Sequence, residues 1–182
     1  MPLDLGKNYF ELFGLPLDFD IAADDLTARY RQLQRRVHPD KFANSSAQER
    51  RLSMQMTAQI NEAYQTLQRP VSRGRYLLGL LGVDMNDETD TSMDPVFLME
   101  QIELRESLAE VKQTADPHKT LDELANQIEQ RMQAKTEQFR RHLMKNSSEG
   151  LSQARAAIRE MQFLQKLRHE IDDGEEGLAS SV

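Results

Sequence analysis

Cysteine is absent from the 182 residues. That excludes disulfide staples, thiolate nucleophiles and thiolate metal sites, and it fits a reducing compartment. Tryptophan is also absent, and there are only 8 Gly and 6 Pro, too few to punctuate a fold of many short strands. No apolar run approaches the roughly 18 residues of a membrane span; the longest, Tyr76 to Val83, is far shorter. Met1 to Gly6 shows no basic stretch leading into an apolar core, so no signal peptide is expected and the expected location is the cytoplasm. There is no Walker-type glycine loop and no Gly-x-Ser-x-Gly elbow, so neither nucleotide binding nor serine chemistry is indicated.

What the chain does have is charge. Hydrophobic residues make up 38% and charged residues 29%, a balance that suits helices burying one face each. The net charge of −7 is unevenly placed. Residues 1–76 hold 11 Lys/Arg against 9 Asp/Glu, net +2, and residues 77–182 hold 12 against 21, net −9. An acidic chain with one locally basic segment points to a specific acidic partner. A nucleic acid would favour a broader basic footprint.

Periodicity and capping residues predict a run of helices. Asn8 can cap a short helix through Leu12, stopped by Gly14-Leu15-Pro16, with Phe10 and Phe13 facing a core. Leu26, Tyr30, Leu33 and Val37 form the apolar stripe of a helix over Ala22–Val37, with Asp24 and Asp25 where the dipole favours acids. A second long helix, about Ala47 to Gln68, carries the stripe Met56, Ile60, Ala63, Leu67 and pairs with the first as an antiparallel hairpin. Pro70 opens another short helix reaching Leu81. Residues 82–94 carry Asp84, Asp87, Glu88, Asp90 and Asp94 without a basic residue and read as a linker. Three further helices follow, about Asp94–Thr114, Asp116–Lys145 and Gly150–Asp172, with breaks at Asp116-Pro117 and Asn146–Gly150. The last ten residues are polar and acidic and are expected to be disordered.

The turn of the hairpin is His38-Pro39-Asp40, where proline denies the preceding residue the helical region. Arg29, Arg31, Arg35, Arg36 and Lys41 crowd the helix and the turn, and Asp40 is the only acid between Arg29 and Lys41. Taken alone, the tripeptide reads equally as a polar interhelical loop in which Pro39 stops the helix and Asp40 makes a local turn contact, and the arginines as a solvated helix face. Such a basic helix could also meet nucleic acid or anionic lipid.

Asn8-Tyr9-Phe10-Glu11-Leu12-Phe13-Gly14-Leu15, Tyr30-Arg31-Gln32-Leu33, His38-Pro39-Asp40-Lys41-Phe42 and Ile60-Asn61-Glu62-Ala63-Tyr64, with Leu67 after them, resemble a J domain in order and spacing over residues 8–76. The resemblance implies that the His38-Pro39-Asp40 loop and the basic helix dock on a DnaK-type chaperone and stimulate its ATP hydrolysis.

In the second half, Phe97, Leu104, Leu108 and Val111 share one face of the helix from Asp94 and are assigned to a bundle core. Leu98, Met99 and Ile102 point elsewhere, beside Glu103 and Glu106. A helix apolar on two faces is either sandwiched or carries a docking surface. The segment Phe97-Leu98-Met99-Glu100-Gln101-Ile102-Glu103-Leu104-Arg105-Glu106 resembles the start of the C-terminal bundle of the HscB family, the iron–sulfur-cluster co-chaperones. Tyr76-Leu77-Leu78 and Phe163-Leu164-Gln165-Lys166-Leu167 resemble that family too. Together with the J domain, the likeness runs to about Ile171.

The resemblance implies that Leu98, Met99, Ile102 and Phe163 form the apolar contact for an IscU-type iron–sulfur scaffold, flanked by Glu103 and Glu106. Ile102 stands where leucine is common in the family, and Phe163 lies at the edge of its helix's apolar band. Some eukaryotic members carry paired Cys-x-x-Cys motifs, and a chain without cysteine is similar to the bacterial form. A carboxylate-bridged metal enzyme could be imagined from Glu100, Glu103, Glu106 and Glu110. It would need Glu-x-x-His motifs, and none of His38, His118, His142 or His169 has an acid three residues before it.

The expected architecture is all-α and L-shaped: a J domain over 1–76 (a helical hairpin with short flanking helices), a connecting helix end and acidic linker over 77–93, a three-helix scaffold-binding bundle over 94–172, and a disordered tail over 173–182. The expected protein is not an enzyme, holds no metal or cofactor, and has as partners an HscA-type (DnaK-family) chaperone and an IscU-type scaffold, with no nucleic acid and no membrane. The competing expectation is a general J protein delivering unfolded clients, although such proteins add glycine-rich, zinc-binding or β-sandwich segments that this chain lacks.

Overall fold

A computed structural model describes residues 6–42, 45–86, 95–145 and 147–179, and among these every regular element is helical. The chain divides into two units, Met1–Leu81 and Gly82–Val182.

In the first unit, α1 (Tyr9–Phe13) starts at a capping box: Asn8 Oδ1 accepts from the Glu11 N–H at 2.9 Å, and the Asn8 N–H donates to Glu11 Oε2 at 3.1 Å. It ends at Gly14, whose φ of +63° is the left-handed conformation glycine adopts at no steric cost. The hairpin is α2 (Ala23–Val37) and α3 (Ala47–Gln68), joined through a 3₁₀ turn at Pro39–Phe42. Ser46 and Glu49 form a second capping box at α3, and the Ser46 hydrogen bonds hold the Glu49 carboxyl below its usual range. α4 (Pro70–Leu80) opens on proline, whose missing N–H is one the first turn leaves unpaired anyway.

Phe10, Phe13, Phe19, Leu26, Leu33, Val37, Met56, Ile60, Ala63 and Leu67 are buried together, so both predicted stripes face inward. Tyr30 departs from its stripe in one respect. It is only half-buried, stacked on Tyr64 at 4.1 Å, with its hydroxyl donating to Asn61 Oδ1 at 3.0 Å. Gln34 also bonds Asn61 and the Thr27 hydroxyl meets that of Tyr64 at 3.2 Å, giving the hairpin a polar seam along one edge. Tyr9 stacks on Tyr76 at 4.4 Å and donates its N–H to the Tyr76 hydroxyl at 3.0 Å, tying α1 to α4. Burial first, and then Glu62, push the Tyr9 phenol up to about 12. α4 stays with this unit past residue 76, because Leu77 and Leu78 are buried in its core. The connecting segment therefore starts at Gly82, where φ is +81°. Of the predicted linker, residues 87–94 lie outside the described residues.

The second unit holds α5 (Pro95–Glu110), α6 (Pro117–Met144) and α7 (Ser148–Ala179). The helix expected to run to Thr114 tightens after Glu110 into a 3₁₀ turn, Val111–Gln113, closed by the Thr114 hydroxyl on the Val111 carbonyl at 2.7 Å. Asp116 caps α6, accepting from the Lys119 N–H at 3.1 Å. Leu104, Val111, Leu121, Leu124, Ile128, Leu164, Leu167 and Ile171 make a continuous core, with Leu108 partly buried against it.

Both ends of α7 differ from expectation. The helix begins at Ser148, so Gly150 is a helical residue and the break before it is narrower than Asn146–Gly150. A Cβ at Gly150 would lie 2.7 Å from the His142 carbonyl oxygen, so only glycine lets α7 pass so close to the end of α6. At the other end, α7 continues to Ala179 where a disordered tail from residue 173 was expected. Ile171 is fully buried, Arg168 pairs with Asp172 at 2.9 Å, and a Cβ at Gly174 would lie 3.8 Å from Leu121 Cδ1. The helix thus still runs against α6 two residues beyond its predicted end, and tertiary contact overrides the weak local propensity. Residues 180–182 lie outside the described residues.

Candidate functional site

Two exposed surfaces, one on each unit, gather the residues singled out from the sequence. In the first unit, α2 stops at Val37 and His38 takes φ −53°, ψ 128°, the extended conformation a following proline imposes. The Lys41 N–H then donates to the His38 carbonyl at 3.0 Å. From α3, Ser53 Oγ donates to the Val37 carbonyl at 2.6 Å in a buried position, which satisfies a helix-end acceptor and pins the residue before the histidine. His38 and Asp40 are both exposed. The Asp40 N–H approaches His38 Nδ1 at 3.3 Å, and Nδ1 lies 3.6 Å from the Asp40 carboxylate. With Nδ1 accepting, a neutral imidazole carries its proton on Nε2. The pair is suited to recognition by an approaching protein.

Arg31, Arg35, Arg36 and Lys41 are all exposed. Arg31 and Arg35, four residues apart, stand on one outward face of α2, and Arg36 and Lys41 lie next to the turn. Arg29 is placed differently. Its guanidinium donates to the Phe13 and Gly14 carbonyls at 2.9 Å each and pairs with Asp25 at 2.9 Å. It closes the open end of α1, so the cationic surface is carried by the other four residues.

In the second unit, α5 turns Phe97 and Leu104 into the core and leaves Leu98 47%, Met99 63% and Ile102 46% exposed. Val96 is exposed beside them and extends the patch, a position the sequence reading passed over although it lies three residues before Met99 on the same helix face. Glu103 and Glu106 are exposed on the flank. Phe163 of α7 is half-buried at the edge of the core and meets Phe97 edge-on with ring centroids 5.8 Å apart.

Two cations cap that aromatic pair. The Arg105 guanidinium lies 5.5 Å from the Phe163 ring and 3.5 Å from Glu170; the Lys135 ammonium lies 5.4 Å from the Phe97 ring and is ion-paired with Glu160. Each cation–π contact contributes on the order of 1 kcal/mol, and together they tie α5 to α6 and α7. Nothing in the sequence marks Lys135 or Glu160, because the contact joins residues on three helices.

Among the described residues, no cluster of His, Asp and Glu is placed to hold a metal ion, and no helix is long and apolar enough to cross a membrane.

Comparison with known proteins adds an independent line. Residues 8–76 match the DnaJ domain model, and residues 93–172 match that of the HSCB C-terminal oligomerisation domain. The chain is 44% identical to the co-chaperone protein HscB homolog of Shewanella halifaxensis and 43% identical to that of Aliivibrio fischeri, in each case over 94% of this chain and 98% of the relative. Its structure is similar to chaperone HscB from Vibrio cholerae, with a TM-score of 0.84, 42% identity and coverage of 94% of this chain and 99% of that one. The crystal structure of human co-chaperone protein HscB superposes with a TM-score of 0.86 at 30% identity, covering 94% of this chain and 84% of that one.

Proposed function

Because the chain belongs to the HscB family of J-domain co-chaperones, partners of Hsp70-type chaperones, we propose that it stimulates ATP hydrolysis by an HscA-type chaperone and delivers an IscU-type iron–sulfur scaffold to it, in the cytoplasm. His38, Pro39 and Asp40 make the contact that triggers hydrolysis, and Arg31, Arg35, Arg36 and Lys41 steer the approach. Leu98, Met99, Ile102 and Phe163 hold the scaffold, with Glu103 and Glu106 as a charged margin.

The observation that carries this reading is the exposure of four large apolar side chains on α5, Val96, Leu98, Met99 and Ile102, while the opposite face of the same helix fills a core. A folded client can cover such a patch, whereas a binder of many unfolded segments needs a longer groove. Holding client and chaperone together raises the effective concentration of one at the other. The apolar contact sets residence time and the cations set encounter rate. Neither His38 nor Asp40 transfers a proton in this scheme, and the hydrolysed nucleotide belongs to the chaperone.

The test is single-turnover ATP hydrolysis by an HscA-type chaperone with this protein, with and without scaffold. Stimulation that grows with scaffold and is lost in His38→Gln is the expected result. Stimulation that survives His38→Gln removes the loop from the mechanism, and indifference to scaffold removes the dedicated client. The matched domain's description names oligomerisation, so a second copy of the chain is the competing occupant of the patch. A monomer mass by sedimentation at tens of micromolar favours the scaffold, and a dimer that Leu98→Asp dissociates favours self-association.

A further inference from the structure

We propose that Met99 is an oxidation site through which a hydroperoxide releases the client held on the α5 patch; this rests on the docking role given to that patch above. The chain has no cysteine, so a thiol cannot carry a reversible two-electron oxidation here, and its sulfur is all in methionine.

The methionines differ sharply in access. Met56 and Met161 are buried in the two cores, whereas Met54 is 58% exposed, Met99 63% and Met144 76%. Of these three, only Met99 stands among other exposed apolar side chains on a surface with an assigned partner. The thioether sulfur attacks the peroxide oxygen and the O–O bond breaks. A sulfoxide S–O bond forms, sulfur is oxidised by two electrons, and the peroxide is reduced to water or an alcohol. Thiol-dependent reductases return the sulfoxide to the thioether, so the change is reversible.

The consequence follows from the neighbours. A sulfoxide oxygen is a strong acceptor, and burying it without a donor is costly. On α5 the residues within reach of position 99 are those three, four and seven away: Pro95, Val96, Ile102, Glu103 and Glu106. None of these side chains donates a hydrogen bond, and the two carboxylates repel the S–O dipole. Oxidised Met99 therefore keeps its oxygen in water only while the patch stays uncovered, and the free protein is favoured over the complex. Met54 and Met144, outside the patch, oxidise without this effect and act as internal controls.

The experiment measures scaffold affinity of the full chain by calorimetry before and after graded hydrogen peroxide. Peptide mass mapping follows each methionine, and a methionine sulfoxide reductase restores the sample. The expected result is a tenfold or greater loss of affinity that tracks sulfoxide at Met99 and is reversed by the reductase. The loss should persist in the double variant Met54→Leu/Met144→Leu. In Met99→Leu, the ratio of treated to untreated affinity should stay within about twofold of one. Unchanged affinity in wild type whose Met99 is shown to be oxidised overturns the proposal, as does an equal loss in Met99→Leu. Leu98→Asp separates this from the reading beneath it. If Leu98→Asp binds scaffold like wild type, the patch is not the docking surface and both claims fall. If it abolishes binding while oxidation does nothing, the oxidation proposal falls alone.

Discussion

Ser53 shows how much one side chain can decide. It lies three residues before Met56, on the same stripe as Ile60, Ala63 and Leu67, and it is buried like them. A hydroxyl in that register has to find a partner, and it finds the Val37 carbonyl at the end of α2. Ser53→Ala leaves that acceptor buried and unmet, so the protein should lose about 1–3 kcal/mol. Thermal unfolding measures the loss. Stimulation of the chaperone ATPase should fall with it, because His38 follows Val37 directly. Arg29 and Arg35 test a second residue-scale distinction. Arg29→Gln should lower the melting temperature by removing the bonds to the Phe13 and Gly14 carbonyls, at a cost of about 1.5–3 kcal/mol for a charge-assisted pair. Arg35→Gln, on an exposed face, should leave the melting temperature within about a degree and slow association with the chaperone. Stopped-flow association rates and calorimetry separate the two. The sequence placed both arginines in one cationic cluster, since spacing cannot reveal a hydrogen bond to a loop fifteen residues earlier.

At the scale of elements, two glycines in helices predict opposite outcomes. Gly79 near the end of α4 has open space where a Cβ would go, and Gly150 at the start of α7 has the His142 carbonyl oxygen 2.7 Å away. Gly79→Ala should stabilise by about 0.5–1 kcal/mol through helix propensity and unfolded-chain entropy. Gly150→Ala should destabilise by about 1–3 kcal/mol, because the clash with backbone outweighs the same propensity gain. Denaturant unfolding of the two variants checks both signs. His142, in the last turn of α6, belongs to the same crossing. Burial first, then the Lys145 and Arg141 charges, hold its pKa below the usual histidine value. Above the unfolded pKa of about 6.5 the ring is neutral in both states and this contribution is fully present. As pH falls through the folded value, the unfolded chain has already taken up its proton and the contribution is lost. The melting temperature should therefore drop between pH 7.5 and 5.5, and drop less in His142→Gln.

Two units with separate cores and separate exposed surfaces imply that damage to one leaves the other working. His38→Gln should abolish ATPase stimulation and leave scaffold affinity unchanged, and Ile102→Asp should do the reverse; calorimetry and single-turnover hydrolysis on the same two variants read the pattern. Effects of mutations in units with separate cores add when the residues share no partner, so the double variant should show both losses and no more. Salt should separate the surfaces further. If Arg31, Arg35, Arg36 and Lys41 steer the chaperone encounter as proposed, it should slow several-fold from low to physiological ionic strength, whereas scaffold binding, proposed to run through apolar contact, should change little.

From the sequence alone came whatever depends on residues near one another along the chain. The stripes of α2 and α3, the stops at Gly14 and Pro39, the His38-Pro39-Asp40 turn and the second apolar face of α5 are all local periodicity or local backbone chemistry, which a 3.6-residue repeat and a proline express directly. Only the tertiary structure decided where cross-helix contact overrules local preference. It kept α7 helical past Asp172 because Ile171 is fully buried and Gly174 still passes Leu121, and it gave the last turn of α4, a helix the sequence already carried to Leu81, to the first unit because Leu77 and Leu78 complete its core. It also withdrew Arg29 from the cationic face and set Lys135 and Arg105 against the two rings behind the apolar patch. These outcomes share one physical cause. Packing and hydrogen bonding between distant residues form only when the elements are in place, and their energies, about 1 kcal/mol each, match or exceed the propensity differences a sequence can display.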